Sequence, residues 1–225
     1  LRRCVADINR QEPDVVVLTG DTVQHGRADE YAILLELLSP LEAPLFPVPG
    51  NRDDKYAMRA AFNEGSFPGE GGEFLHYAID DYDTRLVGID STLAGERKGR
   101  FCEVRQAWLE ATLDARPDTP TLLFIHHPPF DVDDHYVGGY RIPGEAAALE
   151  AIVRGRPQVV GMLCGHVHWP VSRSWAGTEA RIMPSVAVDV RKGIDETEAR
   201  GRPVYMLHRV SRADGLVSEA RMVEA

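Results

Sequence analysis

Three cysteines in 225 residues are too few to staple a fold. Cys4, Cys102 and Cys164 are odd in number and far apart in the chain. A disulfide framework is therefore disfavoured, buried reduced thiols are expected, and a cytoplasmic location follows from that usage. No apolar run approaches the roughly 20 residues of a membrane-spanning helix, so no membrane is expected among the partners. Basic residues are also scarce: 25 Lys and Arg against 35 Asp and Glu leave a formal charge of −10. That balance, with no basic stripe interleaved with aromatics, disfavours a nucleic-acid polymer or an anionic surface. A small phosphate ester is not disfavoured, because bound metal cations would be the largest local charges and would reverse the local field. Internal repeats and low-complexity tracts are absent. The chain opens Leu1-Arg2-Arg3-Cys4 without an initiating Met or an apolar leader, which reads as a start inside a longer protein and leaves a removed signal open.

What is present is an ordinary globular composition, 44% hydrophobic and 27% charged, enough for a substantial core. It fits a single domain over 1–225, with 185–225 as C-terminal strands and loop or a small extension. A homo-oligomer stays open. Helices are expected over 1–12, 28–38, 54–62, 103–114 and 145–154. On 28–38 the apolar stripe is Tyr31, Leu34, Leu35 and Leu38. On 103–114 it is Val104, Ala107, Trp108 and Ala111. Continuous apolar runs at 14–19, 43–48, 120–125 and 158–164 read as strands buried on both faces. Segments 74–79 and 85–89 read as a strand pair. After His168 the texture changes to short alternating segments at 170–175, 180–184, 203–210 and 215–223, expected as antiparallel strands. Strands alternating with helices, then a run of strands, indicate an α/β sandwich with two facing sheets.

Each of the four buried strands ends in polar residues of one chemical kind. Gly20-Asp21 follows the first, Gly50-Asn51-Arg52-Asp53 the second, His126-His127-Pro128-Pro129 the third and Gly165-His166-Val167-His168 the fourth. Taken singly, Asp21 reads as a cap and Gly50-Asn51 as a turn. Together they place carboxylate, amide and imidazole ligands on one sheet edge, where a metal site explains all four. His126 and His127 point oppositely if they continue the strand, so His126 is the expected ligand and His127 the residue behind it. His166 and His168, two apart, would face one side of a strand-like stretch. His25, His76 and His208 are expected at the surface or in packing. His135, in the polar loop 131–140, keeps a substrate-side role open.

The order, spacing and strand-end contexts of these segments resemble the calcineurin-like metallophosphoesterase family, and most closely its bacterial cyclic-nucleotide and glycerophosphodiester phosphodiesterase branch. The resemblance covers essentially the whole chain, including Gln106-Ala107-Trp108-Leu109-Glu110. It implies an α/β fold, a four-layer α-β-β-α sandwich of two facing mixed sheets, with two iron, manganese or zinc ions at the strand ends. Asp21 would bridge both ions; Asn51, His126 and His166 would complete one site and His168 would ligate the other. Two such ions, roughly 3.5–4 Å apart, clamp a small phosphodiester and activate a water for in-line attack.

Two departures from the family pattern stand out. No Asp-x-His segment precedes Asp21, which leaves the first metal with Asp21 and His168 alone and suggests that an N-terminal strand is missing from this chain. Position 52 is Arg where the family usually has a His that contacts phosphate and protonates the leaving oxygen. A guanidinium grips phosphate in a bidentate manner but does not donate a proton to a leaving group. Asp53, which orients that His in the family, is expected to pair with Arg52 instead. Trp169 stands where relatives often carry a basic residue. The candidate catalytic set is thus Arg52, Asp53 and His127, and the expected activity is hydrolysis of a cyclic nucleotide or glycerophosphodiester. The competing reading is a catalytically impaired relative that binds metal or phosphate as a regulatory module. A DNA-processing nuclease is disfavoured by the charge.

Overall fold

A computed structural model describes residues 1–62, 67, 72–132, 139–211 and 213–224; the loop residue His135 lies outside them. The elements run α1 (Arg2–Asn9), β1 (Val16–Leu18), α2 (Ala28–Leu38), β2 (Leu45–Pro47), α3 (Lys55–Ala61), β3 (Tyr77–Ile79) and β4 (Arg85–Ile89). They continue with α4 (Glu103–Asp114), β5 (Thr121–Ile125), α5 (Pro143–Arg154), β6 (Val159–Cys164), β7 (Val171–Trp175), β8 (Thr178–Ile182), α6 (Glu196–Ala199), β9 (Val204–Ser211) and β10 (Gly215–Met222).

Six strands form one mixed sheet in the order β3-β4-β5-β6-β8-β7. Its interior strands β4, β5, β6 and β8 are parallel, and β3 and β7 close the two edges antiparallel. The continuous apolar runs follow from burial on both faces, and the side chains alternate between them. Val87, Ile89, Leu123, Ile125, Met162 and Cys164 enter one core with Leu109 and Leu113 of α4 and Leu149, Ile152 and Val153 of α5. Leu86, Leu122, Phe124 and Leu163 enter a second core with Phe46, Val48 and Leu216. A third cluster, Tyr31, Met58, Phe62 and Leu75, joins α2 to α3.

The second core is closed by a parallel pair, β1-β2, and an antiparallel hairpin, β9-β10. Among the described residues these are two separate two-stranded sheets. Two expectations are corrected. The strands after His168 are not all antiparallel, because β8 lies parallel beside β6. The inward face of α4 is Arg105, Leu109 and Leu113, and Val104 is exposed. Arg105 hides this stripe in the sequence. It is buried because its guanidinium donates to the Thr92 carbonyl and lies 4.1 Å from the Phe74 ring centroid. Among the described residues no helix is long and apolar enough to cross a membrane.

Candidate metal centre

Parallel strands bring their carboxyl ends to one edge, and the chain leaves β1, β2, β5 and β6 there through Asp21, Asn51, His126 and His166. The exits are crowded. A Cβ on Gly50 would lie 2.2 Å from Asp21 N and 2.3 Å from Asp21 Oδ1, and one on Gly20 would lie 2.5 Å from His126 Nδ1. Only glycine lets these backbones approach so closely. Six non-glycine residues with positive φ occur among the described residues, and three are Asp21 (52°), His166 (70°) and His168 (63°). Such conformations persist where surrounding structure enforces them, often at functional sites. They also correct the expectation for His166 and His168, which sit on a left-handed loop beyond β6, not on a strand-like stretch.

His126 is fully buried, and its Nδ1–H donates to the Thr19 carbonyl at 2.7 Å. In the neutral ring that bond fixes the tautomer and turns the Nε2 lone pair toward the strand ends. Nε2 there meets Asn51 Oδ1 at 3.3 Å, Asp21 Oδ1 at 3.4 Å and His166 Nδ1 at 3.2 Å. Lone pairs of an imidazole, an amide oxygen and a carboxylate facing one another are satisfied by a cation between them, so this donor set fits a metal ion.

Burial pushes the Asp21 carboxyl up, but positive charge at His126 and the Arg52 N–H, which donates to Oδ1 at 2.8 Å, hold it below the ordinary carboxylate value, so the ionised form is favoured where positive charge sits at this point. Burial, reinforced by His126, lowers His166 to about 3, so its ring is uncharged near pH 7. His168 donates Nδ1–H to the Val190 carbonyl at 3.1 Å, which leaves Nε2 to act as an acceptor.

The three proposed catalytic residues fall out differently. His127 has a ring nitrogen within 4.8 Å of those of His126 and His166. Both of its nitrogens are nevertheless engaged, Nδ1 with Ser91 Oγ at 2.8 Å and Nε2 with the Arg97 carbonyl at 3.1 Å. Burial also holds it well below the ordinary imidazole value. It packs behind His126 and presents no free nitrogen to a ligand. Asp53 does not pair with Arg52, contrary to expectation. Its oxygens accept from Thr22 N at 3.1 Å, Thr22 Oγ1 at 2.6 Å, Gly50 N at 2.9 Å and Tyr31 Oη at 3.0 Å. This ties the loop after β1 to the loop after β2. The Arg52 side chain is exposed, and among the described residues its guanidinium has no hydrogen-bond or ion-pair partner.

Several supporting residues escape a search for ligands. Asp90-Ser91 leaves β4 as the other pairs leave their strands, and that repeat of an apolar run followed by polar residues was the available signal. Ser91 holds His127, while Asp90, fully buried, ion-pairs with Lys55 at 3.2 Å and accepts from Leu75 N and Thr92 N. The Thr19 carbonyl, as backbone, carries no residue-type signal. Of the remaining histidines, His76 stacks on Trp108 at 4.0 Å, His25 bonds Glu30 and His208 bonds Ser218.

Residues 1–170 match the calcineurin-like phosphoesterase family. The chain belongs to this family. Its members in the curated set include a probable glycerophosphodiester phosphodiesterase GpdQ from Arcobacter nitrofigilis, 30% identical over 99% of this chain and 84% of that protein. GpdQ from Enterobacter lignolyticus is 40% identical over 71% of this chain and 57% of its own length. The 3',5'-cyclic adenosine monophosphate phosphodiesterase CpdA of Escherichia coli is 27% identical over 81% of this chain and 64% of its own length. In fold, this calcineurin-like chain is similar to a dimetal phosphatase from Danio rerio, with a TM-score of 0.74, 16% identity and coverage of 99% of this chain and 85% of that one. Family membership places the chain among hydrolytic phosphoesterases, a family that uses divalent metals.

Proposed function

We propose that the chain is a metal-dependent hydrolase of small phosphodiesters, with a cyclic nucleotide or a glycerophosphodiester as substrate. The observation that carries this is the meeting of His126 Nε2, Asn51 Oδ1 and Asp21 Oδ1 around one point, with His126 Nδ1 already committed to Thr19. Asp21, Asn51, His126 and His166 hold one ion; His168, with Asp21, supplies part of the shell of a second. Iron, manganese and zinc all accept such nitrogen and oxygen donors. When bound, the metal polarises the phosphoryl oxygens and lowers the pKa of a coordinated water.

The chain's own residues do the rest. Arg52 reaches from the exposed rim of the centre to grip the phosphate and offset its charge. Asp53 keeps the Gly50 and Thr22 backbones in place, so that Asn51 and Asp21 keep their geometry. His127 and Ser91 brace His126 from behind. The relatives' names and the net charge support a small soluble substrate over a polymer.

Hydrolysis of bis(p-nitrophenyl) phosphate with added manganese tests this. Turnover is expected, with a loss of at least about a hundredfold in His126→Ala. Arg52, whose guanidinium grips phosphate but does not hand a proton to a leaving oxygen, favours a second reading, a relative that binds phosphate and metal without turning substrate over. Manganese and phosphate binding with no turnover on any phosphodiester decides for it.

A further inference from the structure

A segment far along the chain lies against the loop that carries His166 and His168. Lys192 N donates to the His168 carbonyl at 2.8 Å, and His168 Nδ1–H donates to the Val190 carbonyl at 3.1 Å. Trp169, the next residue, has its indole pressed on Gly193. A Cβ there would lie 2.1 Å from Trp169 Cδ1 and 2.2 Å from Nε1, and Gly193 has φ +67°. Only glycine accommodates both the contact and the backbone.

The segment is anchored from behind. The Arg191 side chain is fully buried; it forks onto Glu196 at 2.5 and 2.7 Å and donates to the Arg202 carbonyl. The result is a fixed shelf beside a candidate ligand. Its outward surface is apolar: Trp169 is 38% exposed and Val190 46%, whereas Trp175 is only 6% exposed. A partly exposed indole already held by its neighbours loses little further conformational entropy when a flat ring covers it. Base–aromatic stacking uses that geometry and tolerates any base. A glycerol group has no flat apolar face, and covering the indole with it would strip its hydroxyls of water without new partners.

We propose that Trp169, backed by Gly193 and flanked by Val190, is the shelf for the organic moiety of the substrate and selects a nucleobase over glycerol. The proposal rests on the phosphodiesterase reading above and names the substrate class: a nucleoside phosphodiester.

The test has two arms on the full chain. In the first, kcat/KM is measured with manganese for adenosine 3',5'-cyclic monophosphate and for glycerophosphoethanolamine. The ratio of the two is expected to fall about tenfold in Trp169→Ala and in Gly193→Ala, and to survive in Trp169→Phe. In the second, tryptophan emission is followed while adenosine 5'-monophosphate or glycerol 3-phosphate is added. Quenching by the nucleotide alone is expected, and its loss in Trp169→Phe assigns it to this indole. An unchanged ratio in both small-residue variants, or emission that the nucleotide leaves unquenched, overturns the shelf. Absence of turnover on every diester instead overturns the hydrolase reading, and the fluorescence arm then decides the shelf alone.

Discussion

Single atoms decide most of the candidate centre. Gly50 has room for a hydrogen and nothing larger, since an added methyl group would fall 2.2–2.3 Å from Asp21 N and Oδ1. Gly50→Ala is therefore expected to displace the Asp21 carboxylate and weaken manganese binding at least about tenfold by calorimetry. Gly144→Ala, where an added Cβ meets nothing within 4 Å, keeps the wild-type affinity. Equal affinities in the two variants would sever the link between this close approach and the metal. The residue types of the centre were legible in the sequence, because Asp21, Asn51, His126 and His166 each end an apolar run. Their partners were not. Asp53 next to Arg52 reads as an ion pair by adjacency, yet its oxygens are consumed by Thr22, Gly50 and Tyr31, none of which borders it in the chain. His127 is expected behind His126 from strand alternation, but only the positions of Ser91 Oγ and the Arg97 carbonyl reveal what engages its ring.

At the scale of elements, the strands and helices followed from periodicity wherever burial was simple, as in β5, apolar at 122–125 and buried throughout. Periodicity misled where a charged residue is buried, as with Arg105 on α4, and where a neighbour comes from elsewhere in the chain, as with β8 beside β6. The link between α1 and the C-terminal hairpin is of the second kind. Asp7 of α1 is 1% exposed and accepts from Arg221 at 2.5 Å, Tyr205 at 2.9 Å and Arg10 at 2.6 Å. The hydrogen bond from Arg221 is the main cause that lowers its carboxyl from 3.8 to about 2. A folded pKa below the unfolded one adds stability that is present above about pH 4 and is lost as pH falls toward 2. Asp7→Asn is expected to cost about 2 kcal/mol at pH 7, with the gap to wild type closing between pH 4 and pH 2. Urea melts at a series of pH values read this directly. A gap that stays constant with pH would mean that the loss is one of packing and not of charge.

For the molecule as a whole, the centre is a junction. Asp21 and Asn51 leave the β1-β2 sheet, and His126 and His166 leave the six-stranded sheet. An ion held by all four would join two layers that otherwise meet through the second apolar core and the glycine contacts between their loops. A ligand that binds only the folded chain stabilises it by RT ln(1 + [L]/Kd), about 2.7 kcal/mol at a hundredfold excess over Kd. For a chain of this size that corresponds to roughly 5–10 °C in Tm. The better-furnished site is the Asp21–Asn51–His126–His166 one, so a titration with manganese is expected to show one tight ion and to raise Tm along that single isotherm. His126→Ala is expected to remove the increment, because it deletes the nitrogen on which the other three ligands converge. His168→Ala is expected to keep most of it, since His168 bonds to Val190 outside that cluster. Two tight ions of equal affinity, or a thermal shift that survives His126→Ala, would place the principal metal elsewhere. Loss of the shift in His168→Ala alone would make the His168 side of the centre the one that clasps the layers.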